Sequence, residues 1–372
     1  MKMTCEADLS DLIKGASGPL QVSGGGTRGI GAVGEALSVA GLSGITLYEP
    51  GALTVVAQAG TPVAEIEAAL DAENQRLAFE PMDHRGLLGT TGTPTIGGVF
   101  AGNYSGPRRI SVGAARDFLL GVRFVDGQGA IVKNGGRVMK NVTGYDLVKL
   151  MAGSFGTLGV LSEVSLKVLP KPETQQTLVL HGLDDVAAIA ALNAAMGSPF
   201  EVSGAAHDSA VGETYLRFEG FEASVGYRMG QVKALLKGRA AEMSGLDADA
   251  SMQLWNGIKN VAAFQGQEGN VWRVSCKPTD GAGLAAKAGA LAHVFDWSGG
   301  LIWLRTGKGH DLRAKLGDYD GHATLVRADA GTRVALPVFE PEAPGVAKLT
   351  QGLRARFDPK GILNPGLMGM AA

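Results

Sequence analysis

The sequence predicts an α+β protein of two or more domains. The first half of the chain combines short strands with one amphipathic helix, a β-hairpin and a long strand whose residues alternate in polarity. The second half contains two strand–helix–strand passages, which are typical of a compact α+β unit and suggest a ferredoxin-like one. With 372 residues and 45% hydrophobic content, the chain is long enough for more than one hydrophobic core.

The first elements are short and are separated by glycine and proline. The run PLQVSGGG predicts a strand that ends in a turn, and GITLYEPGALTVVAQAG predicts two strands joined at Pro50-Gly51. Apolar residues then recur at helical spacing, which predicts a helix over residues 62–75 with Thr61 as its N-cap and Pro62 in the first turn. The sequence RLAFE, residues 76–80, predicts a further strand.

A hairpin and a long strand close the glycine-rich half. DFLLGVRFVDGQGAIVKNGG has two apolar runs around a turn at Asp126-Gly127. Residues 160–168 alternate between a mostly apolar and a mostly polar set, which predicts a half-buried antiparallel strand. The following PKPE is typical of a domain boundary.

Beyond that boundary glycine becomes less frequent. TLVLHGLDDVAAIAALNAAM predicts a strand, an aspartate-capped turn and a helix, and ETYLRFEG predicts a strand before a helix near 222–238. The pattern returns in VWRVSCKPTDGAGLAAKAGALA and the strands after it. The tail VAKLTQGLRARFDPKGILNPG predicts a helix followed by a loop rich in proline and glycine.

Charge and cysteine content exclude several function classes. The chain has 34 basic and 36 acidic residues and no basic tract, so it lacks the electrostatic signature of a nucleic-acid-binding protein. Cys5 and Cys276 alone cannot hold an iron–sulfur cluster or a cysteine-based zinc site, and the histidines lack ligand spacing, so we expect no metal site. We also expect a reducing, cytoplasmic location, with neither a secretory signal nor a membrane span.

The 56 glycines, about twice the usual share, are the one anomaly of the composition. Four stretches are rich in them: residues 23–29, 89–109, 135–146 and 152–160. One such stretch could be a tight turn or a loop whose N–H groups hold an anion. Four in one domain predict that main chain forms the wall of a binding site, with a diphosphate near residues 23–28 and a flat ring near 89–98.

These stretches resemble the FAD-binding domain of the vanillyl-alcohol-oxidase/PCMH flavoprotein superfamily. The resemblance rests on SGGGTRG, TIGGVFAGNYSGPRR, GGRVMKNVTGYD, SFGTLGVLSEVSLKVLP and the closing FDPKGILNPG. Within the superfamily the chain is most similar to the FAD-binding subunits of bacterial glycolate oxidase (glycolate dehydrogenase). The resemblance implies a two-subdomain PCMH-type FAD-binding domain over residues 1–172, a smaller α+β cap domain over 173–330, and a segment, 331–372, that returns to the FAD domain.

The resemblance also implies which residues bind FAD. It assigns one set to the pyrophosphate loop, a second to the wall along the ribityl chain and isoalloxazine, and a third to the adenine side. The first set is Ser23, Gly24, Gly25, Gly26, Thr27 and Arg28; the second is Gly92, Thr93, Thr95, Ile96, Gly97 and Gly98, followed by Asn103; the third is Gly159 and Val160. Relatives with covalent flavin often carry a histidine where this chain has Gly26-Thr27, so we expect noncovalent FAD.

Candidate catalytic side chains are few. His84 could face the flavin and take a proton, or be a solvent-exposed loop histidine. Arg305 and Arg217 could each bind a substrate carboxylate, or be exposed strand arginines or partner contacts. Lys140 and Asn141 belong to a loop that approaches the cofactor or only stabilises a turn.

Asn364 has two interpretations as well. It could close the flavin site, because the family places this segment on the FAD domain, or form a simple Asn-Pro turn.

The resemblance implies the FAD-binding subunit of a complex that oxidises glycolate to glyoxylate and passes electrons through flavin to an iron–sulfur subunit. Oxidation of a 2-hydroxy acid needs a base and a cation for the carboxylate. Because such candidates are scarce here, the substrate could be oxidised on a sister FAD subunit, with membrane association only through partners. Two alternatives stay open: a self-sufficient FAD-dependent D-2-hydroxy-acid dehydrogenase, and a non-catalytic flavoprotein assembly subunit.

Overall fold

Glycine and proline turns divide the chain into many short strands and helices, as its composition predicts. The structure, a computed structural model, describes residues 1–29, 33–137, 144–240 and 242–368. The helices are α1 (Glu6–Gly15), α2 (Val63–Asp71), α3 (Arg85–Leu88), α4 (Ile96–Gly102), α5 (Arg109–Val112), α6 (Ala115–Phe118), α7 (Leu147–Met151), α8 (Asp185–Met196), α9 (Glu222–Leu235), α10 (Ala248–Lys259), α11 (Gly281–Lys287), α12 (Leu312–Leu316), α13 (Ala330–Ala335) and α14 (Pro344–Phe357). The strands are β1 (Leu20–Ser23), β2 (Glu35–Ser38), β3 (Ile45–Glu49), β4 (Thr54–Gln58), β5 (Gln75–Arg76), β6 (Leu119–Val125), β7 (Ile131–Gly135), β8 (Val160–Lys167), β9 (Leu169–Pro170), β10 (Thr174–His181), β11 (Gly204–Asp208), β12 (Glu213–Gly220), β13 (Glu242–Leu246), β14 (Asn270–Cys276), β15 (Ala292–Asp296), β16 (Leu301–Thr306) and β17 (Gly321–Arg327).

The chain divides into two units by its internal contacts. The first contains Met1–Ser105, Gly113–Lys171 and Pro341–Ala372, and the second contains Gly106–Val112 and Pro172–Glu340. The predicted α+β fold class is confirmed. The domain limits that the sequence suggests, after residues 172 and 330, stay a proposal. Within the described ranges, no helix is both long enough and apolar enough to cross a membrane.

The first unit is built on a five-stranded antiparallel sheet in the order β3-β4-β8-β6-β7. The predicted hairpin is β6–β7, and the Asp126 carboxylate fixes its turn by accepting hydrogen bonds from the N–H groups of Gln128 and Ala130. In β8, buried Val164 and Leu166 alternate with half-buried polar residues, as predicted.

A second layer of the first unit carries the glycine loop. Here β1 and β2 pair in parallel, and the C-terminal segment joins them: Leu20 N–H donates to the Ile362 carbonyl (2.7 Å), and Asn364 N–H donates to the Leu20 carbonyl (3.0 Å). Buried Leu9, Leu20 and Leu363 belong to one hydrophobic cluster. This packing fixes β1, and therefore the start of the loop that follows it.

Two local predictions in the first unit were wrong. Thr61 does not cap α2: the N-cap is Pro62, and the Thr61 hydroxyl donates to the Gln58 carbonyl (2.6 Å) and accepts from Gly44 N–H (2.9 Å). The chain reversal before the helix offers these partners, and the hydroxyl takes them instead of the helix N–H groups.

The RLAFE segment is the second error. Only Arg76 belongs to a strand, β5, and the chain then turns, with Glu80 at φ 49°. Phe79 is fully buried against Phe100 and Phe118, with ring centroids 5.6 and 5.4 Å apart. The apolar run therefore reflects burial of a turn rather than pairing in a sheet.

The second unit is an eight-stranded antiparallel sheet in the order β13-β10-β12-β11-β15-β16-β14-β17. The order resolves into two halves that repeat one topology. Strands β10 to β13 with α8 and α9 form a β-α-β-β-α-β motif, and strands β14 to β17 with α11 and α12 form another. Each half has the strand order of a ferredoxin-like fold, so the suggested ferredoxin-like unit occurs twice, joined where β11 pairs with β15.

A polar cluster spans the join between the halves. Asp185, in the first turn of α8, contacts His293 of β15 (Oδ2 to Nε2, 2.7 Å) and His207 of β11 (Oδ1 to Nε2, 3.4 Å), and accepts a hydrogen bond from the Ser209 hydroxyl. Burial raises the pKa of Asp185, but the close contact with His207 and the hydrogen bonds from His293 and Ser209 outweigh it and hold that pKa well below its usual range.

We therefore predict that Asp185→Asn lowers the free energy of unfolding by about 2 kcal/mol at pH 7. The folded-state pKa lies below the unfolded value, so the carboxylate stabilises the fold above about pH 4 and the benefit disappears as the pH falls through the folded pKa. Urea unfolding at pH 7 and pH 3 measures this difference. Asp184→Asn, which keeps the N-cap on Ala187 N–H, is the matched control. An Asp185→Asn penalty that is as large at pH 3 as at pH 7 would contradict the prediction.

Candidate cofactor site

The loop after β1, residues 23–28, turns its carbonyl groups toward the protein. Four of them accept hydrogen bonds: Ser23 from Val39 N–H (2.9 Å), Gly24 from the Ser38 hydroxyl (3.1 Å), Gly25 from Thr93 N–H (3.0 Å) and Thr27 from the Thr90 hydroxyl (2.8 Å). The N–H groups of Gly24 to Thr27 donate to no other residue that the structure describes. The loop therefore has donors left for a ligand, the property that the sequence suggested for an anion-binding loop.

Close backbone contact explains why this loop needs glycine. A Cβ atom added to Gly25 would lie 1.6 Å from the Thr93 carbonyl oxygen, and one added to Gly92 would lie 1.8 Å from the Gly25 carbonyl oxygen. Gly26 has φ +73°, a backbone conformation that other residues rarely adopt. The two glycine-rich stretches are therefore packed main chain against main chain.

A cavity of about 340 Å³ opens beside this loop, in the first unit. Most of the predicted FAD residues line it: Ser23, Gly24, Gly25, Gly26, Thr27, Arg28, Thr95, Gly97, Gly98, Gly159 and Val160. Arg28 is the one charged residue among the described residues of the lining. Thr95 also caps α4, since its hydroxyl accepts a hydrogen bond from Gly98 N–H (3.4 Å).

Four of the predicted residues lie outside the lining. Gly92 and Thr93 form the layer behind the glycine loop. Ile96 is fully buried, and its N–H donates to the Thr61 carbonyl. Asn103 ends α4 at φ 50°, and its side-chain oxygen accepts a hydrogen bond from a backbone N–H rather than facing the cavity. Their part in binding FAD stays a proposal. We expect these four residues to support the cavity wall from behind.

Asn364 joins three segments at the cavity. Its Oδ1 accepts from Val22 N–H (2.7 Å) and its Nδ2 donates to the Phe155 carbonyl (2.8 Å), while its own φ is 46°. Phe155 and Gly156, which also line the cavity, were named from the sequence only as part of a glycine-rich stretch. The positive φ values at Phe155 (52°) and Gly156 (71°) are what shape that stretch.

The candidate catalytic residues lie elsewhere. His84 is 4% exposed and packs edge-on against Tyr104, so its interpretation as a solvent-exposed histidine was wrong. Arg217 is also fully buried, with its guanidinium 4.5 Å from the centre of the Trp255 ring, so it is not an exposed strand arginine. Arg305, on β16 of the second unit, donates to the Glu268 carbonyl (3.1 Å). Their catalytic roles stay untested.

Two further candidates, Lys140 and Asn141, lie outside the described residues.

The residues present fit FAD. A dinucleotide diphosphate needs several hydrogen-bond donors and at least partial charge compensation, and the glycine loop with Arg28 supplies both. The absence of a side chain at Gly26, whose added Cβ would meet nothing within 4 Å, leaves that part of the loop open to a ligand.

Comparison with known proteins identifies the class. Residues 1–135 match the family model of an FAD binding domain. A solved structure of p-cresol methylhydroxylase with substrate bound superposes with a TM-score of 0.66 over 100% of this chain and 88% of that chain, at 12% identity, which shows a shared fold. The protein is therefore an FAD-dependent oxidoreductase with a PCMH-type fold, and the predicted cofactor, FAD, is confirmed.

The sequence relatives narrow the class to a family. The chain is 35% identical over 356 residues to glycolate oxidase subunit GlcE of Escherichia coli (strain K12), covering 94% of this chain and 92% of the relative. It is also 35% identical over 170 residues to a D-lactate dehydrogenase of Anaerostipes hadrus, covering 44% of this chain and 34% of the relative. The chain belongs to the glycolate oxidase subunit family that includes GlcE, which confirms the resemblance found in the sequence.

We predict that Gly25→Ala weakens FAD binding. The added Cβ would force the loop away from Thr93, so FAD affinity should fall by at least about tenfold and the melting temperature by several degrees. Flavin content after gel filtration and thermal unfolding measure the two effects. Gly18→Ala, where a Cβ meets nothing within 4 Å, is the matched control. Full flavin content in the Gly25→Ala protein would refute the role of this contact.

A second prediction concerns Asn364. Replacement by alanine removes three hydrogen bonds and puts alanine at a positive φ that asparagine tolerates better, so it should cost about 2 to 3 kcal/mol of unfolding free energy. Asn364→Gly tolerates the backbone conformation and should recover about 1 kcal/mol. Urea titration of the three proteins separates the two contributions. Equal stability of the alanine and glycine variants would show that the backbone conformation contributes nothing.

Proposed function

We propose that this chain is the FAD-binding subunit of a complex that oxidises glycolate to glyoxylate, and that it passes electrons through its flavin to an iron–sulfur subunit. The observation that supports this most is the alignment with GlcE over nearly the full length of both chains. When bound, FAD accepts the two electrons of an alcohol oxidation and can release them to a one-electron carrier.

In this proposal the chain's own residues mainly bind and orient the cofactor. The N–H groups of residues 24–27 hold the diphosphate, Arg28 compensates its charge, and Asn364 fixes the C-terminal segment beside it. No histidine or cysteine occurs among the described residues of the cavity lining, which supports a noncovalently held flavin.

The character of the cavity supports oxidation of the substrate on a sister FAD subunit. Removing the hydroxyl proton of a 2-hydroxy acid needs a base. Among the described residues of the lining, none carries a carboxylate, an imidazole or an amine. The relay also needs an iron–sulfur centre on another chain, because Cys5 and Cys276 supply too few thiolates for a cluster. We place the complex in the cytoplasm, which the two free cysteines favour, with any membrane contact made by partners.

A second candidate is a self-sufficient FAD-dependent D-2-hydroxy-acid dehydrogenase. The similarity to a D-lactate dehydrogenase favours it, although the alignment covers 44% of this chain. This candidate requires a base and a carboxylate-binding cation on the chain itself, for which His84 and Arg305 are the residues to test.

Anaerobic addition of substrate separates the two candidates. We expect the flavin of the purified chain to keep its visible absorbance when glycolate or D-lactate is added, and to bleach when the chain is reconstituted with its partner subunits. A complex rebuilt with Gly25→Ala chain should lose electron transfer to an artificial acceptor. Bleaching of the chain alone would overturn the relay and favour the dehydrogenase. A flavin that stays oxidised while the complex turns over would instead indicate an assembly subunit.

A further inference from the structure

The cation of the FAD cavity is stacked on an aromatic ring. The Arg28 guanidinium carbon lies 4.5 Å from the centre of the Tyr104 ring, a cation–π distance. Arg28 pairs with no carboxylate of the described residues. Its charge is therefore left for a ligand, while its side chain is held by the ring.

Two glycines of α4 make room for this pair. A Cβ on Gly102 would lie 2.0 Å from Cε2 of Tyr104 and 2.5 Å from one terminal guanidinium nitrogen of Arg28, and a Cβ on Gly98 would lie 2.5 Å from the other terminal nitrogen. Gly98 and Gly102 are four residues apart, so they face the same side of the helix. Any side chain at either position would displace the ring, the guanidinium or both.

Other aromatic groups hold the ring in turn. The His84 imidazole meets Tyr104 edge to face, with centroids 4.5 Å apart, and the Phe155 ring does so at 6.2 Å. His84 is buried and Phe155 lines the cavity. Tyr104 is thereby fixed from two sides before any ligand enters.

We propose that Tyr104 is a positioning residue for Arg28: its ring holds the guanidinium on the cavity wall, where the positive charge binds the diphosphate of FAD. A free arginine side chain has many rotamers, and ordering it on binding weakens affinity. The stack orders it in advance. The proposal concerns FAD binding alone and does not depend on which substrate is oxidised or on which subunit.

The test measures FAD binding to the full chain after its flavin has been removed. Quenching of flavin fluorescence on titration reports the affinity. Tyr104→Leu, which removes the ring, should weaken FAD binding about tenfold, and Tyr104→Phe, which keeps it, should stay within about twofold of the parent. Arg28→Gln should weaken binding at least as much as Tyr104→Leu. Because Tyr104 acts through Arg28, the Arg28→Gln/Tyr104→Leu double variant should bind no more weakly than Arg28→Gln.

Salt dependence gives a readout that a packing role would not change. Arg28→Gln and Tyr104→Leu should both reduce the dependence of FAD affinity on salt concentration, whereas Tyr104→Phe should keep it. If Tyr104→Leu fails to fold, Gly102→Ala tests the same stack of Arg28 on Tyr104, because its Cβ would displace both side chains. Gly230→Ala on α9 is the control, since a Cβ there meets nothing within 4 Å. Multiplied losses in the double variant, or an unchanged salt dependence without the ring, would overturn the proposal.

Discussion

The contact between two stretches of bare main chain, at Gly25 and at Gly92-Thr93, is the constraint on which the rest of the site depends. It places the Gly25 carbonyl against Thr93 N–H and so turns the loop's acceptors toward the protein. A loop whose carbonyls are satisfied inside presents its N–H groups outside. The same contact brings α4 against the loop, and Gly98 and Gly102 of α4 are the residues against which the Arg28 guanidinium packs. The diphosphate binding that we propose would therefore follow from the packing of main chain and would need few charged side chains.

The sequence predicts that main chain lies close to main chain at this site, but it does not predict which residues are in contact. Glycine in four stretches predicts close backbone approach, because little else explains so many positions without side chains. Composition does not say which stretch meets which: the partner of Gly25 is 67 residues away along the chain, at Gly92. The stack of Arg28 on Tyr104 had no sequence signal either, since Tyr104 belongs to a motif whose glycines and arginines dominate the pattern.

The errors in the fold have the same origin. Hairpins and helices depend mainly on neighbouring residues, and the predicted hairpin β6–β7 and the predicted helices α2, α8 and α9 are present. Thr61 and the RLAFE segment depend on residues outside their own motifs. The Thr61 hydroxyl bonds Gly44 as well as Gln58, and Phe79 is buried against Phe100 and Phe118. The duplicated topology of the second unit was also missed, because it lies in the strand order, which pairs β10 with β13 and β14 with β17. The sequence shows no long internal repeat that would have indicated it.

Fold and family carry different amounts of functional information here. A solved structure at 12% identity shares the fold of this chain, and a shared fold by itself names no substrate. Further information comes from the chemistry of the cavity itself: donors from the main chain, one cation, Arg28, and no ionisable base among the described lining residues. Such a lining suits tight binding of a dinucleotide better than abstraction of a proton. For that reason we favour the proposed relay, in which this chain binds FAD and a partner subunit takes the proton.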